Sequence, residues 1–166
     1  MGEAGGKKGT DMSHHRIDPL AVAPEALKPL RQLEAQIADS GLEESLIHLV
    51  KMRASQINGC AFCLFMHSAD ARAAGESEER LYLLNAWQES TLYTPRERAA
   101  LAWTEALTLI AETHAPDADY DLAASEFSPV ELVHLTLLIG TINIWNRASI
   151  GFRKVNPGEA KVKKAA

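Results

Sequence analysis

The sequence has little cysteine and no excess of positive charge, and each shortage argues against a class of protein. Among 166 residues only Cys60 and Cys63 are cysteine, which is too few for the disulfide framework of a small secreted domain. A closely spaced pair in a reducing compartment is more often redox-active or metal-binding. Lys and Arg number 17 against 22 for Asp and Glu, a net charge of −5. That balance argues against a dedicated nucleic-acid-binding protein, which needs a basic face.

Long hydrophobic runs are also missing. The longest apolar stretches, residues 46–50 and 135–144, are interrupted by polar residues. Both fall well short of the ~20 apolar residues of a membrane span. Residues 1–16 lack the apolar middle region of a secretory signal, which such signals require. We therefore expect a cytoplasmic protein that has no transmembrane helix.

The length fits one compact domain, since domains usually contain ~100–200 residues. Residues 1–18 are rich in Gly, Lys and His and show no apolar period, so we expect a flexible leader. Residues 156–166 contain Pro, Gly and three Lys, and we expect a flexible basic tail. The folded domain is predicted to span residues 19–155.

Apolar residues recur every three or four positions between these ends, without sustained alternation. This pattern predicts an all-α fold. Capping boxes with proline at the first helical position mark two helix starts, at residues 94–97 (TPRE) and 128–131 (SPVE). The turn signal of Asn58 and Gly59 places Cys60 at or near the start of another helix. The predicted helices are about 24–38, 42–56, 60–74, 77–87, 94–112, 119–124 and 128–150.

The last predicted helix is apolar on nearly every side. Such a helix must be buried on several faces, either at the centre of the domain or against another subunit. We expect a homo-oligomer, and the alternative is a central helix in a monomeric bundle. Asn143, Asn146 and Arg147 in this helix are interpreted as hydrogen-bond donors across a subunit contact or as part of an exposed face.

Cys60, Cys63 and His67 are the residues best suited to chemistry. On a helix they follow one another by about one turn, so their side chains share a face. One interpretation is a redox pair whose sulfurs form a disulfide, with His67 taking a proton from Cys63. Another is a metal site with His48 as fourth ligand, although no second ligand pair follows downstream. The third is a pair of inert buried thiols.

Residues 53–63 (RASQINGCAFC), together with His67, resemble the signature of the carboxymuconolactone decarboxylase and alkylhydroperoxidase D (AhpD) superfamily, in its AhpD-like branch. The resemblance covers most of the chain, from about residue 46 to residue 152. It implies an AhpD-like helical bundle that assembles as trimers or hexamers. The other segments that resemble this branch are residues 85–87, 97–106 and 143–147.

The resemblance implies a thiol peroxidase that reduces hydroperoxides with no cofactor or metal. Cys63 would attack the peroxide and become a sulfenic acid, and Cys60 would resolve it as an intramolecular disulfide. His67 and His48 would handle protons. A dithiol donor, such as a lipoyl group, would then reduce the disulfide.

Two positions depart from the better-studied peroxidases of this family. Those proteins carry a Glu twelve residues before the first motif cysteine and a His between the two cysteines, where this chain has His48 and Phe62. A histidine titrates near neutrality, so His48 can still relay a proton, whereas Phe62 cannot. We expect a shortened relay, with weaker peroxidase activity or a different preferred substrate.

Position on the helix and family resemblance give different answers for the more acidic thiol. Cys60 lies nearer the positive end of the helix dipole, which predicts the lower pKa for Cys60. The family assigns attack to Cys63. We take Cys63 as the nucleophile because His67 lies one turn beyond it and out of easy reach of Cys60.

Two other functions stay open at this point. One is a lyase like the decarboxylases that name the superfamily, which act on a lactone acid without needing a cysteine pair. The other is a non-enzymatic module that senses redox state or holds a metal ion. Stoichiometric bound metal would favour the second of these.

Overall fold

A computed structural model describes residues 15–156 of the chain. Within that range every regular element is a helix, which confirms the all-α prediction. Residues 1–14 of the predicted leader and 157–166 of the predicted tail lie outside the described residues. The helices are α1 (Pro19–Val22), α2 (Pro24–Ala38), α3 (Glu44–Asn58), α4 (Ala61–Ala73), α5 (Glu78–Leu83) with a 3₁₀ turn (Leu84–Ala86), α6 (Pro95–Thr108), α7 (Ile110–Thr113), α8 (Asp117–Glu126) and α9 (Pro129–Gly151).

Both predicted capping boxes are present at the starts of α6 and α9. The Thr94 hydroxyl accepts a hydrogen bond from the Glu97 amide at 3.2 Å, and the Glu97 carboxylate accepts one from the Thr94 amide at 2.8 Å. Ser128 and Glu131 make the same reciprocal pair at 3.4 and 2.8 Å. These contacts satisfy amide groups that lack a partner within the helix.

The helix predicted to reach about residue 112 ends earlier, at Thr108. The backbone breaks at Leu109, and the single turn α7 follows. The Thr113 hydroxyl donates a hydrogen bond to the Ala106 carbonyl at 2.6 Å, which satisfies one of the acceptors left free at a helix end. The apolar period continues through this break, so the period alone missed it.

The core is built around α3, which packs against α4, α6 and α9. One group of buried side chains joins α2, α3, α6, α8 and α9 and includes Val50. A second joins α3 to α4, α5 and α6 and includes Leu49. Leu49 and Val50 are neighbours in sequence and both are fully buried, so α3 is covered on more than one side.

Residues 15–156 bury α9 on one side. Leu135, Leu138 and Ile142 face the core, whereas other apolar residues of α9 are 39–67% exposed. The described part of the chain therefore does not enclose α9 as the central helix of a monomeric bundle. The exposed apolar residues are Val130, Val133, Leu137, Ile144 and Ile150.

A left-handed turn between α3 and α4 sets the position of the first cysteine. Gly59 caps α3 with φ 67° and ψ 34°, a conformation that favours glycine because it lacks a Cβ. The Cys60 amide then donates a hydrogen bond to the Ser55 carbonyl at 3.0 Å. Cys60 leaves this turn as the N-cap of α4, as the Asn58-Gly59 signal predicted.

A residue of the predicted leader contacts the C-terminal end of α9. The Arg16 amide donates a hydrogen bond to the Phe152 carbonyl, and its guanidinium donates one to the Gly151 carbonyl, both at 3.0 Å. Among the helices of residues 15–156, none combines the length and hydropathy that crossing a membrane requires.

Candidate active site

The two cysteines form a close pair at the first turn of α4. The Cys60 sulfur accepts a hydrogen bond from the Cys63 amide at 3.4 Å. Both side chains are buried, with 1% of each residue exposed, and both are free thiols. A sulfur at the N-cap occupies the place where a Ser or Asp oxygen usually accepts such a bond. Capping therefore holds Cys60 against Cys63.

The acidity of this pair is unequal. A hydrogen bond between the two thiols raises the pKa of Cys60 and lowers the pKa of Cys63 to about 6. Because the Cys60 S–H donates to the Cys63 sulfur, Cys60 keeps its proton and stabilises a thiolate at Cys63. The prediction that Cys60 has the lower pKa was wrong, since this direct bond outweighs its place nearer the end of the helix dipole.

Polar groups of α9 add to the acidity of Cys63. Hydrogen bonds from Ser149 and Asn146 lower the Cys63 pKa further. The Asn146 amide also donates to the Ser55 hydroxyl at 3.0 Å, and its oxygen accepts from the Asn58 amide at 2.8 Å. Asn146 is thus held on three sides by groups of the chain itself.

The interpretation of Asn143 and Asn146 as subunit-contact or exposed-face residues was wrong. Both are buried inside the chain, Asn146 completely. The Asn143 amide donates to the Thr108 hydroxyl at 3.1 Å and its oxygen accepts from Asn58 at 3.0 Å. Arg147 is exposed, as one interpretation had it, and donates back to the Asn143 carbonyl at 3.0 Å.

A lysine beyond α9 supplies positive charge to the pair. Lys154 lies over the ring of Phe62, with Nζ 4.1 Å from the ring centroid. Its charge lowers the pKa of Cys63. Sequence analysis missed Lys154, Ser149 and the part played by Asn146, because nothing local to the cysteines indicates which distant residues fold against them.

His67 is buried on the same helix one turn beyond Cys63. Burial, together with the charges of Lys51 and His48, lowers the pKa of His67 to about 4, although Asp70 opposes the shift. Its Nδ1 lies 3.6 Å from the Asp70 carboxylate. His67 is therefore neutral at neutral pH. Within residues 15–156 no hydrogen bond joins His67 directly to Cys63.

His48 lies on α3, close enough for its charge to act on His67. Its Nε2 is 3.8 Å from the Glu44 carboxylate, and its buried Nδ1 has no hydrogen-bond partner in the described part of the chain. His48 also lines a cavity of about 270 Å³, whose wall includes the ion-paired Arg80 and Glu97. His48 thus lines a cavity and lies near enough to His67 for its charge to lower the pKa of His67.

A second cavity, which we call the Cys60 cavity, opens beside the cysteine pair. Its volume is about 210 Å³. One wall is formed by residues 59–62, and the other by Ser149, Ile150 and residues 153–155. Cys60 is in this lining and Cys63 is not, so the cavity lies on the Cys60 side of the pair.

The four-ligand metal site considered from the sequence finds no support in the geometry. Across residues 15–156, no three His, Cys, Asp or Glu side chains are grouped so that they could hold a metal ion. Cys60 and Cys63 contact each other and α9, whereas His67 and His48 contact carboxylates. The structure therefore contains a pair of contacting thiols and, apart from them, two imidazole side chains.

The helical bundle and the buried pair of thiols at the start of α4 define a protein of the dithiol class with an AhpD-like fold. A comparison with known proteins identifies its family. Residues 24–106, which include both cysteines and both histidines of the site, match the carboxymuconolactone decarboxylase family. The chain belongs to this family.

One relative and one solved structure resemble nearly the whole chain. "Uncharacterized protein YdfG" of Bacillus subtilis (strain 168) is 42% identical over 135 residues, which cover 81% of this chain and 92% of that protein. The crystal structure of ATU0492 from Agrobacterium tumefaciens is 47% identical, with a TM-score of 0.84 over 87% of this chain and 99% of that one. ATU0492 is described as a protein of unknown function and is linked to the antioxidant defence protein AhpD.

A more distant structure shares the fold. The uncharacterized peroxidase-related protein from Silicibacter sp. TM1040 is 21% identical, with a TM-score of 0.71 over 82% of this chain and 72% of that protein. At this identity the likeness shows the fold alone. Together with ATU0492, it confirms the AhpD-like fold that the sequence predicted.

Proposed function

We propose that this protein is a thiol-dependent peroxidase that reduces hydroperoxides through a disulfide cycle of Cys63 and Cys60. The observation that carries the proposal is the hydrogen-bonded thiol pair, in which Cys60 donates and the pKa of Cys63 is about 6. A thiolate is the nucleophilic form of cysteine. At neutral pH most of Cys63 is in that form, beside a second thiol that can resolve the oxidised product. The link of ATU0492 to antioxidant defence supports the same class.

The cycle begins when the Cys63 thiolate attacks the outer oxygen of a hydroperoxide. The S–O bond forms as the O–O bond breaks, leaving a sulfenic acid on Cys63 and an alkoxide that takes up a proton. The Cys60 thiol then attacks the Cys63 sulfur, forms the disulfide and releases water. The peroxide is reduced by two electrons and the cysteine pair is oxidised by two.

Protons in this cycle are assigned to His67 and His48. The neutral His67 accepts the proton that a thiol releases and passes it toward the leaving oxygen, while His48 connects His67 to the cavity on its other side. The low pKa of His67, about 4, favours rapid release of the proton once it is taken up. With Phe62 between the cysteines, the relay contains no third imidazole.

The oxidised pair must be reduced by an external donor for the next turnover. A dithiol, such as a lipoyl group, supplies two electrons and closes to its own disulfide. Such a donor and a stable reduced pair both require a reducing compartment. We therefore place the protein in the cytoplasm as part of this proposal.

Thiol counting before and after one equivalent of cumene hydroperoxide tests the function. We expect both thiols to be lost, with a Cys60–Cys63 disulfide found by mass spectrometry. Cys63→Ser should abolish peroxide consumption, whereas the matched control Cys60→Ser should still consume one peroxide per chain and stop as a sulfenic acid. Undiminished consumption by Cys63→Ser would reject the proposal.

Two further measurements distinguish a peroxidase from the other candidate functions. A lyase would retain its activity on a lactone acid when both cysteines are replaced by Ser. A metal-holding module would contain stoichiometric metal on purification, with thiols that react only after chelation.

We also propose that the protein is a homo-oligomer, a trimer or a hexamer, assembled through the exposed apolar face of α9. Val130 and Val133 are 67% and 58% exposed on this face. Contiguous exposed apolar surface of this kind is typical of protein interfaces. A second copy of the chain would cover it.

A further inference from the structure

The Cys60 cavity is lined by one cysteine of the pair. Cys60 lies in its wall and Cys63 does not. A molecule that enters the cavity therefore lies against the residue that the peroxidase cycle assigns to resolution. This arrangement suits the reductive half of the cycle better than the attack on peroxide.

The charge of the cavity also differs from that of the whole chain. The chain has a net charge of −5, yet the charged residues in the described lining are Arg153 and Lys154. Lys154 is held over the Phe62 ring, a contact that orients an ammonium group without neutralising it. Lys154 thus puts a positive charge at the cavity wall, which favours an anionic molecule.

Given the disulfide cycle above, on which this inference rests, we propose that the Cys60 cavity admits the reducing dithiol, whose thiolate enters beside Lys154 and attacks the Cys60 sulfur. A bond forms between the donor sulfur and Cys60, and the Cys60–Cys63 bond breaks with its electron pair leaving on Cys63. The product is a mixed disulfide on Cys60.

The donor completes the exchange with its second thiol. That thiol loses a proton to water, attacks the donor's first sulfur and closes the donor disulfide, and Cys60 leaves and regains a proton. The donor is oxidised by two electrons and the protein disulfide is reduced by two. Phe62, which cannot relay a proton, contributes by placing Lys154.

The relative acidity of the cysteines favours this direction of attack. A thiol of lower pKa is the faster leaving group in disulfide exchange. Attack on Cys60 expels Cys63, whose thiolate Asn146 and Lys154 stabilise independently of the Cys60 thiol. Geometry and leaving-group chemistry select the same sulfur.

The position of the mixed disulfide, on Cys60 or on Cys63, tests the proposed site of attack. The disulfide form is prepared with diamide, so no peroxide turnover is needed. It is mixed in excess with 2-mercaptoethanesulfonate, quenched rapidly in acid and sequenced by mass spectrometry. We expect the adduct on Cys60. An adduct on Cys63 would overturn the proposal.

The rates at which thiols reduce the protein disulfide test the effect of the Lys154 charge. Rates are compared per thiolate for anionic 2-mercaptoethanesulfonate, neutral 2-mercaptoethanol and cationic cysteamine. We expect the anionic thiol to be fastest, and Lys154→Ala to slow it by about tenfold, as loss of a steering charge does. Lys28→Ala, a control at an exposed lysine of α2, should leave the rates unchanged. Equal rates for all three thiols, or equal rates in the two lysine variants, would overturn the proposal.

Blocking the cavity gives a measurement that is independent of charge. Ala61 is exposed in the cavity wall, and Ala69 is exposed on the same helix outside it. Ala61→Trp should slow reduction by dihydrolipoamide severalfold, whereas Ala69→Trp should not; equal rates would count against the cavity. If the protein shows no peroxidase activity but its disulfide is still attacked at Cys60, that result would reject the proposed function and support this inference.

Discussion

The side-chain amide of Asn58 donates a hydrogen bond to Oδ1 of Asn146 across 2.8 Å, and so ties the end of α3 to α9 directly beneath the cysteine pair. Asn146 in turn donates to Ser55 and to the sulfur of Cys63. One buried amide thus serves both the packing of two helices and the acidity of a thiol.

Replacing this amide should affect stability and acidity together. Asn146→Ala leaves Asn58 and Ser55 without a partner, which should lower the free energy of unfolding by about 1–3 kcal/mol. It should also raise the pKa of Cys63. Chemical denaturation and the ultraviolet absorbance of the thiolate measure the two effects. Asn85→Ala, at an exposed position, is the control, and an unshifted thiolate titration in Asn146→Ala would contradict the assigned bond.

The pH dependence of alkylation should identify the more acidic cysteine. The rate with iodoacetamide should rise through a midpoint near pH 6 and level off, because the thiolate is the reactive form and the pKa of Cys63 is about 6. In Cys60→Ala the donor is lost and the midpoint should move upward, whereas Cys60→Ser keeps a hydroxyl donor and should shift it less. A midpoint near the ordinary value of 9.0 in the wild type would refute the unequal pair.

Acid should destabilise the fold through His67. Its pKa is about 4 when folded, against a reference value of 6.5, so between these values the unfolded chain binds a proton that the folded chain excludes. The free energy of unfolding should therefore fall as pH drops from 6.5 toward 4, by ~1.4 kcal/mol per pH unit at most.

Denaturation curves across this pH range measure that effect. His67→Gln should flatten the dependence, and His15→Gln, at an exposed position, should leave it as in the wild type. The same slope in His67→Gln and in the wild type would show that another group is responsible.

Charge placed on the exposed face of α9 should dissociate the proposed oligomer. Val133→Glu combined with Leu137→Glu buries two carboxylates in the interface, and light scattering should report a monomer. Val22 is 69% exposed on α1, so Val22→Glu should remain assembled. A monomeric wild type would refute the proposed assembly.

The features that could be predicted from the sequence are those that depend on residues close together in the chain. The helix starts at Thr94 and Ser128 follow from capping boxes whose partners lie three residues away. The position of Cys60 at the start of α4 follows from the turn at Asn58 and Gly59. These signals are local, so a single sequence contains all of them.

The remainder depends on contacts between distant parts of the chain. The end of α6 at Thr108 lies within an unbroken apolar period, and the Thr113 hydroxyl, five residues further on, satisfies the carbonyl of Ala106. The greater acidity of Cys63 arises from Cys60 in combination with Ser149, Asn146 and Lys154. Local position on the helix pointed to Cys60, because the sequence shows neither which thiol donates the hydrogen bond between the two sulfurs nor which distant groups fold against Cys63.

The hydrogen bond between Ser55 and Asn146 spans 91 positions in the chain, and this separation has a consequence during protein synthesis. During synthesis both cysteines emerge from the ribosome before α9 and Lys154, whose residues lower the pKa of Cys63. Until α9 and Lys154 have emerged and docked, Cys63 lacks the hydrogen bonds of Ser149 and Asn146 and the charge of Lys154, so a smaller fraction of it is thiolate. The thiol pair is thus expected to reach its full reactivity only once the chain has finished folding.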